Sequence, residues 1–341
     1  MRAVTITGTG GIDDVEVGEV PEPDVSADEV RVRVCASGIN YAELWIAKGL
    51  EGTTPVIPGV DIAGVVDEVG AAVEGVTDGD RVVVYWNLPC GECESCLAGE
   101  TTLCPEYGGI GVHEDGGHAE YASVPAENLL ALPGQVSFES AAAFSSNFGT
   151  AWRGLLTRAD VGVGDDVLVV GASGGVGHGA VQVAGLAGAR VYACTSTEAK
   201  AEQLRDLGTD HVIDYSEEPL DEAIAAKTDK RGVDVVFESV GGEIYERAIR
   251  SLTQDGRLIT IGATDGDAES AMLPYVFWKQ LRIIGSTGCT KPELQAAHRQ
   301  LARGKLRPIV DDTVSFEEVP NVYRRLDDRS KDVFGKVVLT P

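Results

Sequence analysis

The stretch from Asp165 to Ala189, DDVLVVGASGGVGHGAVQVAGLAGA, constrains the fold more than any other part of the chain. Its opening run is continuously apolar, as a strand buried on both faces of a parallel sheet must be. The turn from Gly171 to Gly177 then leads into a helix, so backbone N–H groups and the positive end of the helix dipole gather there. In the segment Ser173-Gly174-Gly175-Val176-Gly177, Gly174 and Gly175 let a pyrophosphate approach the backbone, and Gly177 lets helix and strand pack closely. Downstream, RVYACTS, HVIDY, VDVVFESV, GRLITIGA and LRIIGSTG read as further strands, with helical stretches such as KAEQLRDLG between them. That alternation predicts a doubly wound α/β domain of about six strands that binds a dinucleotide.

The flanking sequence has another texture. Up to residue 135 the chain is made of short β-rich runs, among them EVRVRVCA, GVVDEVG and RVVVYW, punctuated by Gly, Pro and Asp. A helical, small-residue segment, FESAAAFSSNFGTAWRGLL, follows. Past residue 290 come a helix around PELQAAHRQLARG, a strand near PIVDDTVSF and a closing strand, GKVVLTP. The simplest topology joins 1–135 and 290–341 into one β-rich domain, with 136–289 as the dinucleotide-binding domain. A length of 341 residues suits two such domains.

Four of the seven cysteines fall in Cys90-x2-Cys93-x2-Cys96-x7-Cys104. Closely spaced thiolates supply the four soft ligands of tetrahedral Zn²⁺ and leave no open coordination position, so the expected metal is one structural Zn²⁺. Cys35 and Cys194, on apolar strands, read as core. The histidines carry no clear role: His113 and His118 read as surface or packing residues, His178 as packing the first helix of the α/β domain, and His298 as lying on a polar helix.

An NAD-preferring site carries Asp or Glu at the end of the second strand, where it binds the ribose hydroxyls. Here that strand ends Cys194-Thr195-Ser196 with no carboxylate. Thr195, Ser196 and Lys200 can instead hold a 2′-phosphate, which favours NADP(H). Ser239 and Gly262, after the later strands, complete the expected cofactor set.

The net charge is −26, with 54 acidic against 28 basic residues, and 19 of the basic residues are Arg against 9 Lys. Such a field repels phosphate backbones and anionic lipid, so neither nucleic acid nor membrane is an expected partner. The Lys-poor acidic surface reads as that of a protein in a salt-rich cytoplasm. A signal peptide and a membrane span are absent from the expectation, because no apolar run approaches the roughly 20 residues needed.

These motifs together resemble the medium-chain dehydrogenase/reductase superfamily, which contains the zinc alcohol dehydrogenases and quinone oxidoreductases. The resemblance runs through EVRVRVCASGINYAEL, PVIPGVDIAGVVDEVG, GDRVVVYW, the four-cysteine lobe, FGTAWRGLL, VLVVGASGGVGHGAVQVAGLAGARV, LGTDHVIDY and GKVVLTP. It implies a GroES-like catalytic domain and a Rossmann domain, with the cofactor in the cleft between them. It also implies a homodimer or homotetramer, often joined through the last Rossmann strand, near Leu281 to Ser286. The run Tyr275-Val-Phe-Trp278 is expected at that interface or over the substrate cleft.

The departures from the family carry the functional argument. Zinc alcohol dehydrogenases have a catalytic Cys where this chain has Asn40, and a Gly-His-Glu motif where it has Gly59-Val60-Asp61. Valine binds no zinc and an amide binds it poorly, so the Lewis acid is not expected, although Asp61 with a nearby His leaves a residual metal site open. The resemblance then points to the quinone and 2-enoyl reductases, in which NADPH reduces a conjugated, small-molecule electron acceptor. It places Asn40 and Thr150 beside the nicotinamide and Tyr215 on the adenosine phosphate. Tyr41 and Asp61 are candidates for the proton donor, each with a bland alternative as cleft wall or ion-pair partner. Two other readings stay open: a zinc-dependent alcohol or polyol dehydrogenase, and a non-catalytic NADPH-binding protein.

Overall fold

The computed structural model describes residues 1–328 and 333–341. The chain forms two compact units, Met1–Ser146 with Thr290–Pro341, and Asn147–Cys289. The first boundary lies within the helix Phe138–Trp152 rather than at its start, because that helix runs on unbroken from one unit into the next. It finishes in a wider π-type turn, Arg153–Arg158.

The first unit is built on a seven-stranded sheet. Its path runs Val310–Val314, Lys336–Leu339, Glu29–Gly38, Asp61–Val69, Arg81–Val84, Leu129–Ala131, and Tyr121–Pro125 also pairs with Glu29–Gly38. Strand Glu29–Gly38 shows why the register is fixed. Val30, Val32 and Val34 alternate with Arg31, Arg33 and Cys35, so a slip of one residue would turn charge into the core. The three valines pack with Ile62, Val66, Val82 and Val84. Burying each such side chain is worth roughly 1.5–3 kcal/mol. The same alternation puts Cys35 on the outward face, half-buried, rather than in the core as its apolar neighbours suggested. Cys194 is fully buried. The C-terminal strand Lys336–Leu339 pairs antiparallel with Glu29–Gly38, matching Val338 to Gly38 and Leu339 to Ser37. That pairing brings Lys336 to the end of the strand that leads into Asn40.

The second unit holds a six-stranded, all-parallel sheet. Its order is His211–Asp214, Arg190–Thr195, Asp166–Val169, Val233–Glu238, Leu252–Thr260, Arg282–Gly285. The first strand in sequence is therefore central and the chain winds outward in both directions, the doubly wound arrangement. Val167, Leu168 and Val169 are fully buried, as strands covered on both faces are. The core around them gathers Leu168, Val170, Tyr192, Val236 and Leu258. Arg282–Gly285 closes the sheet as an edge strand with Ile283 exposed. Nearby in sequence, Leu273, Tyr275, Phe277 and Trp278 are also exposed. Among the described residues, no helix is long and apolar enough to cross a membrane.

Candidate functional site

The four-cysteine lobe forms a compact metal-ligand set. Cys90 and Cys93 lie in a tight loop, Cys96 on the short helix Glu94–Leu97, and Cys104 just after the turn Thr101–Leu103. Their sulfur atoms all lie within 4.8 Å of one another, and Cys90 Sγ is 4.0 Å from Cys96 Sγ. Tetrahedral zinc at about 2.3 Å from each sulfur separates them by about 3.8 Å, whereas a disulfide needs about 2 Å. The backbone N–H groups of Cys90 and Cys96 donate to Cys104 Sγ and Cys93 Sγ, the pattern that steadies thiolate ligands. Backbone donors at Glu92 and Cys93 bring the Cys90 thiol down to about 7. The set fits a structural Zn²⁺. Among the described residues it is the only group of three or more His, Cys, Asp or Glu side chains close enough to hold one ion.

A second cluster lies elsewhere in the first unit. Asp61, fully buried at the start of strand Asp61–Val69, is its hub. Asp61 Oδ1 accepts from Ser146 N at 2.7 Å. Oδ2 accepts from Ser146 Oγ at 2.7 Å, Asn40 Nδ2 at 2.9 Å and Lys336 Nζ at 3.1 Å. Asn40 Oδ1 accepts from Lys336 Nζ and lies 3.3 Å from Ser146 Oγ, whose one proton goes to the shorter bond with Asp61. Asn40 N donates to Glu43 Oε2 at 2.5 Å. Glu43 is wholly buried on the short helix Ala42–Ala47. Burial pushes its carboxyl up to about 8, against the pull of Lys336 and of the Asn40 N–H, and the Asp61 charge adds to the rise. The cluster therefore holds one ion pair and a carboxyl that keeps its proton at neutral pH. Asn40 is half-buried; Asp61, Glu43 and Lys336 are buried.

This donor set does not fit a Lewis-acid metal. Asn40 offers an amide already engaged on both sides, and buried Val60 offers nothing. Among the described residues the hydrogen bonds to Asp61 and to the Asn40 side chain come from no thiolate or imidazole, and a cation, Lys336, stands among the cluster's oxygens. His118 is fully buried, with Nδ1 3.2 Å from the Tyr323 hydroxyl. Burial lowers its pKa to about 4, so the ring is neutral. His298 is half-buried, although its helix is polar. It faces inward, edge-on to Phe144 and 3.3 Å from Ser145 Oγ, and burial lowers it to about 4.

Of the other residues singled out in the sequence, Tyr41 precedes helix Ala42–Ala47 and meets Trp45 edge-on at 5.8 Å. Thr150 lies on helix Phe138–Trp152, in the second unit, and is half-buried. Glu43, Ser146 and Lys336 were missed. Nothing local marks Lys336 or Ser146, which are 296 positions from Asn40 and 85 from Asp61, whereas Glu43 lies only three positions from Asn40.

In the second unit, the strand Asp166–Val169 runs through the glycine turn into helix Gly175–Leu186. Gly171 has φ +70, and a Cβ on Gly177 would stand 2.0 Å from the Gly171 carbonyl oxygen. The helix is capped by Gly174 with no side-chain hydrogen bond, which leaves its first turn to an anion. His178 packs edge-on against Phe148. Ser239 Oγ sits 3.4 Å from the Val170 carbonyl oxygen, beside the turn. Thr195 ends strand Arg190–Thr195, buried, with no partner for its hydroxyl. Its carbonyl accepts from Tyr215 N at 3.0 Å, and Tyr215 is hydrogen-bonded to the Ser196 side chain. Lys200 lies in the first turn of the following helix, Glu198–Asp206. Asp214, opposite Thr195 in the sheet, is tied to Ser216. Gly262 lines a cavity of about 260 Å³ with Glu238, Tyr245 and Thr260. These residues fit a dinucleotide: a bare helix N-terminus, room that a Cβ would fill, and an orphaned hydroxyl at the strand end.

Residues 26–134 match the alcohol dehydrogenase GroES-like domain family, and residues 175–303 match the zinc-binding dehydrogenase family. Over the full length of both chains, this protein is 34% identical to an acryloyl-coenzyme A reductase of Metallosphaera sedula. It is 32% identical to an alcohol dehydrogenase of Geobacillus stearothermophilus, over 95% of each chain. A crystal structure of an NAD-dependent alcohol dehydrogenase superposes with a TM-score of 0.95 at 39% identity, covering 100% of both chains.

Proposed function

The chain belongs to the medium-chain dehydrogenase/reductase superfamily, and from that premise we propose that it reduces an α,β-unsaturated acyl acceptor with NADPH and without a catalytic metal. That it is an oxidoreductase of this superfamily follows from its full-length relatives. The observation that carries the finer reading is the Asn40–Asp61–Ser146–Lys336 cluster, whose donors suit no Lewis acid. A carbinol needs help in losing its hydroxyl proton, which zinc supplies in metal-dependent relatives. A conjugated acceptor delocalises the charge it receives and needs orientation and hydrogen-bond donors instead. Similarity to acryloyl-coenzyme A reductases supports an enoyl acceptor over a quinone.

When bound, the reduced nicotinamide supplies a hydride equivalent to the acceptor. The chain's own residues bind and orient. The N–H groups of helix Gly175–Leu186 take the pyrophosphate, and Gly177 allows the approach. Thr195, Ser196 and Lys200 take the 2′-phosphate, with Tyr215 beside them. The lack of a carboxylate at the end of strand Arg190–Thr195 supports NADPH. Asp61 and Ser146 hold the Asn40 amide and the Lys336 ammonium at fixed positions. The four cysteines hold a zinc that takes no part in the chemistry. Two copies of the chain pair through the exposed edge strand Arg282–Gly285.

The test is NADPH oxidation in molar KCl with acryloyl-coenzyme A, simple enones and quinones, alongside a zinc count. Turnover of enoyl compounds that survives chelation, with a single zinc per chain, supports the reading. Turnover confined to alcohols or aldehydes, and lost with the metal, overturns it.

A further inference from the structure

We infer that Lys336 is the electrophilic group of this site, an ammonium that donates to the acceptor's carbonyl oxygen where metal-dependent relatives use zinc. The inference rests on the enoyl-reductase reading and names the group that makes a metal unnecessary.

Lys336 begins the C-terminal strand, and its side chain is only 3% exposed. Lysine is almost never so buried without a purpose or a partner. Its placement is dictated by the fold. Ile39 N donates to the Val337 carbonyl oxygen at 3.0 Å, which holds the strand end beside Asn40. Lys336 Nζ donates to Asp61 Oδ2 at 3.1 Å and to Asn40 Oδ1. An ammonium has three donors. Those two bonds use two of them. Asp61 cannot follow the ammonium elsewhere, since Ser146 N and Oγ hold its two oxygens at 2.7 Å. The charge is thus fixed in place before any substrate arrives, which is what makes a donor effective on a developing oxyanion. Burial of Asp61 and Lys336 away from water strengthens that effect, and neighbouring Glu43, wholly buried, keeps its proton and adds no competing negative charge.

The step balances as follows. Hydride adds to the β-carbon and the π electrons of the double bond move onto the carbonyl oxygen, giving an enolate. A Lys336 N–H donates to that oxygen without being transferred. The enolate then takes a proton from water at the α-carbon. One NADPH and one proton are consumed, and a saturated acyl compound and NADP⁺ are released.

The bland alternative is that Lys336 only neutralises Asp61. Removing the lysine alone strands a buried carboxylate and destabilises the chain. The informative pair is therefore Lys336→Arg and the double variant Lys336→Met/Asp61→Asn, which removes both charges together. All are made in the zinc-loaded, full-length protein. The readouts are kcat and KM with one enoyl substrate, NADPH affinity by fluorescence, and the thermal midpoint. The double variant is expected to stay folded and bind NADPH, while kcat falls about 100- to 1,000-fold, the loss typical of one oxyanion donor. Lys336→Arg is expected to recover most of that loss. If the double variant keeps more than roughly a tenth of wild-type kcat, or if arginine recovers nothing, the assignment is overturned and Lys336 is structural. If wild-type enzyme binds NADPH yet reduces no enoyl compound, the reductase reading falls, and this assignment with it.

Discussion

Replacing Glu43 with glutamine should abolish most of the chain's loss of stability between pH 6 and pH 8. Glu43 is wholly buried, and desolvation raises its carboxyl from 4.5 to about 8. In the unfolded chain it titrates as an ordinary glutamate. Between those two values the folded state binds a proton that the unfolded state has released, so folding stability falls as pH rises through the window. Below it both states are protonated, and above it both are ionised, so the slope is confined to that range. Each pH unit is worth about 1.4 kcal/mol, and the whole window on the order of 5 kcal/mol. From pH 6 to pH 8 the loss is about 2 kcal/mol, once partial ionisation of the folded state near pH 8 is allowed for. That is a large fraction of the 5–15 kcal/mol typical of a folded protein. Glutamine keeps a carbonyl oxygen for the Asn40 N–H and has no proton to lose. The assay is urea unfolding of wild type and E43Q at pH 6 and pH 8 in equal KCl, so that general charge effects cancel in the difference. The wild-type midpoint should fall by about 1 M relative to that of the variant. Equal losses in the two proteins would refute the reasoning, because Glu43 would then be ionised in the folded chain throughout.

Three further outcomes follow from the geometry. Atomic absorption should find one zinc per chain, and Cys104→Ser should lose it while NADPH affinity, measured by fluorescence on the full-length chain, stays unchanged, because Cys104 and the glycine turn belong to different units. Lys200→Ala should weaken NADPH binding about tenfold, the value of one charge-assisted hydrogen bond, and leave NADH binding unaltered; calorimetry with both cofactors checks this. Ile283→Lys on the exposed edge strand should shift sedimentation from dimer to monomer, and a wild type already monomeric would exclude that interface.

Local patterns carried much of the reading. The glycine turn was legible because a strand, a tight turn and a helix N-terminus are contiguous in the chain, and Gly177 meets Gly171 only six positions away. The cysteine quartet was legible because its ligands fall within one short loop. Strand periodicity gave the valine face of Glu29–Gly38, but the outward position of Cys35 depended on which face the sheet buries. His298 reads in sequence as lying on a polar helix, yet that helix buries Leu294, Ala297 and Leu301, and the His298 ring packs edge-on against Phe144.

The sequence by itself determined that Asn40 and Val60 stand where the resemblance places two metal ligands of zinc alcohol dehydrogenases, and that a glycine turn and a clustered cysteine quartet are present. Only the tertiary structure decided what fills the altered site. Lys336, Ser146 and Glu43 come from the C-terminal strand, a long helix and a short helix, and no spacing rule links them. They meet because strand Lys336–Leu339 pairs with Glu29–Gly38 and because a buried ammonium must find a buried carboxylate. A charge taken out of water is stable only beside its partner, and which partner that is depends on the fold.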